Sequence, residues 1–296
     1  VLLDSAWIDD FLQRERLPAS FRSVVHEVHL PIAAHLAALA HEHRGPLLVG
    51  LTGTQGSGKS TAAAVLGSLL RASGLATAVL SIDDFYLTHA ERSQLGEQIH
   101  PLLRTRGVPG THDVKLAQAT LKSLQGNAAV ALPAFDKSVD DRRPQTDWPL
   151  FSAPAAVTIL EGWCVGARAQ TPESLAEPIN SLERDEDAQA LWRTHVNKAL
   201  SGRYRSLFGM LNAQVMLQAP SFDVVYDWRL EQEHKLRSRI QTEGGDLARV
   251  MDDAAIARFI AHYERITRHL LDEMPARADI LVTLDAARRP TGLRGA

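Results

Sequence analysis

The stretch GLTGTQGSGKSTAAA, residues 50–64, places glycines, a lysine and hydroxyl side chains between two apolar segments. Gly53, Thr54, Gln55, Gly56, Ser57, Gly58, Lys59 and Ser60 spell G-x-x-x-x-G-K-S. Before them, PLLVGLT is a short continuous apolar run of strand length. After them, the alanines and leucines of KSTAAAVLGSLLRASG favour a helix that ends near Gly74. Glycine tolerates the torsions that let consecutive backbone N–H groups curl around a phosphate, and the following helix turns its positive end to the same point. Lys59 then reaches the β and γ phosphates, the Ser60 hydroxyl ligates Mg²⁺, and Thr61 follows in the first helical turn. The anion implied is a nucleoside triphosphate, ATP. A plain surface turn is the alternative, and the position between a strand and a helix speaks against it.

Four more apolar runs follow: ATAVLSIDDFYL (76–87), AAVTILEGW (155–163), NAQVMLQAP (212–220) and ADILVTLD (278–285). Strands this apolar are covered on both faces, as in a parallel sheet with helices above and below. The fold class expected is α/β, a doubly wound parallel sheet of the P-loop NTPase kind, in one domain over 1–296. Helical spacing in 5–16 and 21–43 predicts an N-terminal helical extension over 1–45, which Pro31 should kink or split. Residues 88–150, rich in Pro, Gly, Arg and Asp, exceed the roughly 15 residues of an ordinary connection and read as a substrate-facing insertion. Residues 221–274 predict a helix, a Gly-Gly break and a second helix, with a lid over 229–252. The charge-mixed run LERDEDAQALWR (182–193) reads as a solvated helix start.

Over 296 residues, 32 basic side chains against 35 acidic ones give a net charge of −3, which offers no global attraction to nucleic acid or anionic lipid. A phosphate site must therefore be local. The one cysteine, Cys164, allows neither an intramolecular disulfide nor a cysteine-based zinc site and suits the cytoplasm. No uninterrupted apolar run reaches the roughly 18 residues of a membrane span, and acids near the N-terminus argue against a signal peptide. The partner expected is a small-molecule acceptor, with neither nucleic acid nor membrane.

Ligands of open parallel sheets sit beyond the carboxyl ends of the strands. Asp83 and Asp84 close the second strand and Glu161 the third. A carboxylate there can take a proton from an attacking hydroxyl or hold a metal, which assigns the base to Asp83 and, with Ser60, metal support to Glu161. A solvated turn and a helix cap are the bland alternatives. Asp84 and Tyr86 lie beside the base as further acceptor contacts, although packing is the simpler role for the aromatic ring.

GLTGTQGSGKST, VLSIDDFYL, RGVPGTHD, LPAFDKS, ILEGW and YDWRLEQE, in this order and spacing, resemble the D-glycerate 3-kinases of plants and fungi. That family lies within the phosphoribulokinase, uridine kinase and pantothenate kinase group of P-loop kinases. The likeness runs from about residue 46 to the final strand. It implies transfer of the ATP γ-phosphoryl to a small alcohol, with Asp83 as base and Glu161 supporting Mg²⁺. It also implies acceptor contacts from Thr111, His112 and Asp113, and a lid carrying Arg229, Arg237 and Arg239 over ATP, with Arg237 acting during transfer. Glycerate brings a carboxylate, for which the insertion offers Arg106, Lys137, Arg142 and Arg143; Lys137 and Arg142 are favoured, solvated loop charges being the alternative. His112 either donates to the acceptor or is a structural histidine. After DKS the family's glycine-rich GRGDR is replaced by VDDRRP, so another hydroxy acid, a sugar, a nucleoside or pantothenate stays open as acceptor, as does a non-catalytic nucleotide switch.

Overall fold

A computed structural model describes residues 5–15, 17–152, 154–243 and 252–296, and in it the five apolar runs are strands. They are β1 (Leu47–Gly53), β2 (Thr77–Ser81), β3 (Val157–Gly162), β4 (Ala213–Gln218) and β5 (Ile280–Leu284). They pair in parallel in the order β5-β4-β1-β3-β2. Every residue of β1 and β3 is buried, which is why these strands read as unbroken apolar runs instead of alternating ones. A sixth strand, β6 (Pro290–Arg294), adds antiparallel to β5. Its PTGLR sequence carries no such run, because an edge strand tolerates the proline and glycine that a central one excludes.

Helices cover both faces. On one lie α1 (Ser5–Arg14), α2 (Leu30–Glu42) and α3 (Lys59–Ala72), whose Phe11, Leu36 and Leu66 join Val49 and Val215 in one apolar cluster. Full burial of a leucine such as Leu36 stabilises the fold by roughly 1.5–3 kcal/mol. The other face holds α6 (Leu191–Ala199) and α8 (Asp253–Glu273), with Trp192, Val196, Ile266 and Leu270 packed against Leu48 and Leu160. Helix α3 stops where expected: Gly74 takes φ +83° and Leu75 N–H bonds back to Leu70 O at 3.1 Å.

Pro31 neither breaks nor ends its helix. The chain runs from Phe21–Val24 through a π-helical turn, Val25–His29, into α2, with the proline in the first turn of α2. A proline has no N–H to give and crowds the carbonyl four residues back, and the wider turn just before it absorbs both. The whole stretch Phe21–Glu42 is long and apolar enough, by length and composition, to cross a membrane, although histidines and charged residues interrupt its apolar runs. Its Val25, Val28, Ile32 and Leu36 are buried in the core shared with α3 and the sheet.

Residues 88–150 are more ordered than a proline-rich, glycine-rich composition suggests. They contain α4 (His89–Gln98), opened by a Thr88–Glu91 capping box, and α5 (Val114–Ser123), capped by Asp113. Two short antiparallel pairs follow, Val130–Ala131 with Leu150–Phe151 and Phe135–Asp136 with Asp141–Arg142. The helix pair after β4 is α7 (Asp223–Glu243) and α8; the Gly-Gly break lies in 244–251, outside the described residues.

The run 182–193 departs from its reading as a solvated helix start. Glu183 is 0 % exposed and takes two hydrogen bonds from the Arg265 guanidinium at 2.6 and 2.7 Å, while buried Asp187 pairs with Arg193 at 3.0 Å. The partner of Glu183 lies 82 residues away, so nothing in the local pattern announces the burial.

Candidate active site

The glycine loop bends between β1 and α3 with Gly56 at φ +77° and Gly58 at φ +84°, and Ser57 N–H closes a turn on Thr54 O at 3.2 Å. A Cβ on Gly56 would stand 2.7 Å from the Trp228 Cβ of α7, and one on Gly53 would stand 2.5 Å from Ser57 Oγ. Gly58 is the N-cap of α3 and provides no side-chain cap, so the amides of Lys59, Ser60 and Thr61 face outward at the positive end of the helix. The Gln55 amide and the Ser57 hydroxyl are buried with no partner among the described residues. Lys59 is half-buried and has no ion-pair partner among the described residues.

Ser60 Oγ donates to Glu161 Oε1 at 3.0 Å, joining the head of α3 to the end of β3. Glu161 is buried, and its Oε2 has no partner among the described residues. A hydroxyl and a carboxylate with an orphaned oxygen are hard oxygen donors, the set that Mg²⁺ requires.

Asp83 lies in a 3₁₀ turn, Ile82–Phe85, directly after β2. Its Oδ1 accepts from Tyr86 Oη at 2.9 Å and its Oδ2 from Lys137 Nζ at 2.6 Å. Burial works to raise this carboxyl, but the charge and hydrogen bond of Lys137, with Lys59 and His112 behind it, hold it below the ordinary carboxylate value. Asp84 behaves oppositely. Burial, together with the charges of Asp83 and Glu161, raises its carboxyl against the opposing hydrogen bond from Phe135 N–H at 3.2 Å.

The other acceptor-side residues are drawn into the same cluster, several by structural bonds. Thr111 is fully buried; its hydroxyl donates to Val108 O at 2.7 Å and accepts from Gly107 N–H at 3.1 Å, so it is engaged inside its own turn. Asp113 accepts from Leu116 N–H at 3.0 Å as the cap of α5 and meets Arg142 Nη2 at 3.4 Å. Arg142 also donates to Tyr86 O at 2.9 Å, and its Nε is buried without a partner among the described residues. Arg106 is paired with Asp140 and lies over the Phe135 ring. Arg143 is exposed, 3.9 Å from Asp136. His112 stacks on Tyr86 with ring centroids 4.4 Å apart and meets Tyr204 Oη at 2.6 Å through Nδ1. Burial pushes His112 down to about 4, so the ring is neutral.

On α7, Arg229 donates to Glu233 at 2.7 Å and lies over the Phe259 ring. Arg237 is half-buried on the same helix, and the side chain of Arg239 lies outside the described residues. Two site-shaping residues escape a sequence reading. Arg92, 1 % exposed, donates to the carbonyls of Leu87, Arg104 and Asp140 and ties the insertion together. Tyr204, the partner of His112, lies 92 residues further along the chain. Both partnerships form only through tertiary contact.

A glycine loop on an uncapped helix head, a Ser–Glu pair beside it and an aspartate at a neighbouring strand end define a P-loop phosphotransferase. A family profile described as the methylmalonyl-CoA mutase-associated GTPase MeaB matches residues 26–100, the span from the π turn to just past α4. The chain is 34 % identical over 229 residues to the uncharacterized kinase mug58 of Schizosaccharomyces pombe, covering 74 % of this chain and 78 % of that one. It is 28 % identical over 259 residues to the chloroplastic D-glycerate 3-kinase of Arabidopsis thaliana, covering 83 % of this chain and 54 % of that protein. The solved D-glycerate 3-kinase of Cryptococcus neoformans matches with a TM-score of 0.73 at 27 % identity, over 90 % of this chain and 98 % of the other. The chain belongs to the family of P-loop kinases that includes the plant and fungal D-glycerate 3-kinases, as its motifs led us to expect. It is a phosphotransferase with an alcohol group as acceptor.

Proposed function

We propose that this kinase transfers the γ-phosphoryl of ATP to a hydroxyl of D-glycerate, giving 3-phosphoglycerate. The observation that carries the reading is the Asp83 carboxylate, gripped by Tyr86 Oη and Lys137 Nζ at the end of β2 and within electrostatic reach of Lys59. The phosphates suit the amides of Gly53–Thr61 and the Lys59 ammonium, and Mg²⁺ suits Ser60 and Glu161. A largely apolar cleft of about 550 Å³ adjoins the loop, walled by Phe21, Val24, Ser57, Thr61 and the segment Ala287–Pro290, and fits the nucleoside. The insertion 88–150 then supplies the acceptor side, and the region 229–252 covers the nucleotide, with Arg229, Arg237 and Arg239 as its cations.

MgATP supplies the electrophilic phosphoryl group and a divalent charge; the protein supplies position and neutralisation. Asp83 accepts the proton of the acceptor hydroxyl as its oxygen bonds the γ-phosphorus and the bond from that phosphorus to ADP breaks, ADP leaving, and Tyr86 fixes the direction of the carboxylate. A depressed basicity suits this work, because a loose phosphoryl transition state asks more for an oriented hydroxyl than for a strong base. An ionised Asp83 would repel an acidic acceptor unless cations met the second charge. Lys137 stands on Asp83 itself, and Arg142 carries the orphaned buried Nε.

Incubation with MgATP and a panel of glycerate, other hydroxy acids, sugars, uridine and pantothenate, with the product identified by mass and NMR, tests the reading. Glycerate phosphorylated at C3 is the expected product. A clear preference for uridine, pantothenate or a sugar overturns the substrate while leaving the kinase class in place.

A further inference from the structure

We propose that Tyr204 is a positioning residue for this reaction: its hydroxyl fixes His112 as the neutral Nε2–H tautomer, which presents a hydrogen-bond donor to a carboxylate oxygen of the acceptor. The acceptor's chemistry rests on the function proposed above; the tautomer does not.

The tautomer follows from counting donors. Tyr204 is fully buried, and its Oη accepts from Gly110 N–H at 3.0 Å. Burial pushes the phenol well above its ordinary value, so the hydroxyl keeps its proton. The acceptor for that proton is His112 Nδ1, 2.6 Å away. An Nδ1 that accepts leaves the ring hydrogen on Nε2. The opposite arrangement would aim two donors at Oη and leave the tyrosine proton with no acceptor among the described residues, in a fully buried position.

His112 Nε2–H is then a buried donor with no partner among the described residues. Buried donors are nearly always satisfied, and an orphan beside a reaction centre marks a place where a ligand oxygen belongs. The ring lies flat on Tyr86, 21° from parallel, and the Tyr86 hydroxyl donates to Asp83. The charged groups that act on the imidazole are Asp83, which favours protonation, and Arg203, which opposes it. Arg203 also donates to Gly110 O at 3.2 Å, so the segment Arg203–Tyr204 holds the GTHD turn through the two peptide groups that flank Gly110. Gly202, at φ −103° and ψ −107°, is non-helical and kinks the chain just before that segment. A neutral donor suits an acidic acceptor beside Asp83, because it orients the carboxylate while leaving neutralisation to Lys137 and Arg142.

The test combines a spectroscopic readout with a double-substitution cycle. Nitrogen-15 NMR of the wild-type protein should show His112 as Nε2–H, and Tyr204→Phe should shift it toward a tautomer mixture. Kinetically, Tyr204→Phe should raise KM for the acceptor about tenfold, with kcat and the KM for ATP changed less than about threefold. His112→Gln, whose amide nitrogen stands near the Nε2 position, should retain acceptor binding better than His112→Asn. Because glutamine has no tautomer to fix, adding Tyr204→Phe to His112→Gln should cost nothing further. An Nδ1–H tautomer in the wild type overturns the proposal even if Tyr204→Phe fails to fold. Equal losses from Tyr204→Phe with histidine or glutamine at 112 reduce Tyr204 to a packing residue and also overturn it. Should wild-type enzyme leave glycerate untouched, the substrate reading falls, and the same cycle is run with the alcohol that the panel identifies.

Discussion

Asp83 is stabilised as an anion from two directions, and that fixes what its replacement should do. Asp83→Asn keeps the Tyr86 contact and the shape of the turn but removes the charge and the proton acceptor. Turnover should fall by about 10²–10⁴-fold while ATP still binds, the ordinary worth of a positioned base. Near-normal turnover in that variant would reject Asp83 as the base. Lys137 sets the pH range of the same carboxyl. Its ammonium is the largest influence holding Asp83 down, so Lys137→Met should let burial prevail and raise the folded-state value. The acid limb of kcat/KM should then move to higher pH, and a limb that stays in place would show that another group limits activity. Lys59, Ser60, Asp83 and Glu161 are legible in the sequence because each sits within a residue or two of a strand end or glycine loop. Thr111 and Asp113 also fall in a recognisable motif, but their turn and cap bonds depend on the folded path of the insertion and cannot be read from spacing.

At the level of elements, β1 to β5 announce themselves because burial on both faces leaves only apolar residues. β6 and the short strands of the insertion do not, since they are edge pieces chosen by what lies beside them. The buried pairs around α6 and α8 are the clearest case of information held in tertiary contact. Arg265 is 7 % exposed and bonds Glu183 and the carbonyls of Ser174 and Glu177, stitching α8 to the segment before α6. Arg265→Ala would leave the Glu183 carboxylate charged and unpaired in the interior, at a cost of about 3–5 kcal/mol in unfolding free energy. Pairing it with Glu183→Leu should recover most of that loss, and a double variant as unstable as the single one would contradict the pairing argument. On α7, Arg237→Ala should lower kcat at least ~10-fold while changing ATP affinity less, if its charge is needed as the phosphoryl group moves. Equal losses in kcat and nucleotide binding would make it an ordinary ATP contact.

The molecule as a whole carries a net charge of −3, too little for global repulsion to set its pH response, so that response comes from particular buried groups. Two histidines show the largest downward shifts among the histidines. His29, in the π turn of the N-terminal extension, and His112, beside the proposed acceptor site, are both buried and both pushed down from 6.5 to about 4, burial being the largest cause in each. The unfolded chain therefore binds protons that the folded chain refuses. Stability is complete above the unfolded value near 6.5 and drains away as the pH falls toward 4. By linkage each histidine should forfeit about 2 kcal/mol between pH 7.5 and pH 5, together about 4 kcal/mol, a large share of the 5–15 kcal/mol typical of a domain. Urea unfolding at the two pH values measures the difference directly. His29→Leu, at a residue that also lines the proposed nucleoside cleft, should remove the His29 share of that loss, read from the unfolding free energy of the variant at the two pH values. An unfolding free energy that is flat between pH 7.5 and pH 5 would mean that neither imidazole is held neutral by the fold, and with it would go the charge state assigned to His112 in the site.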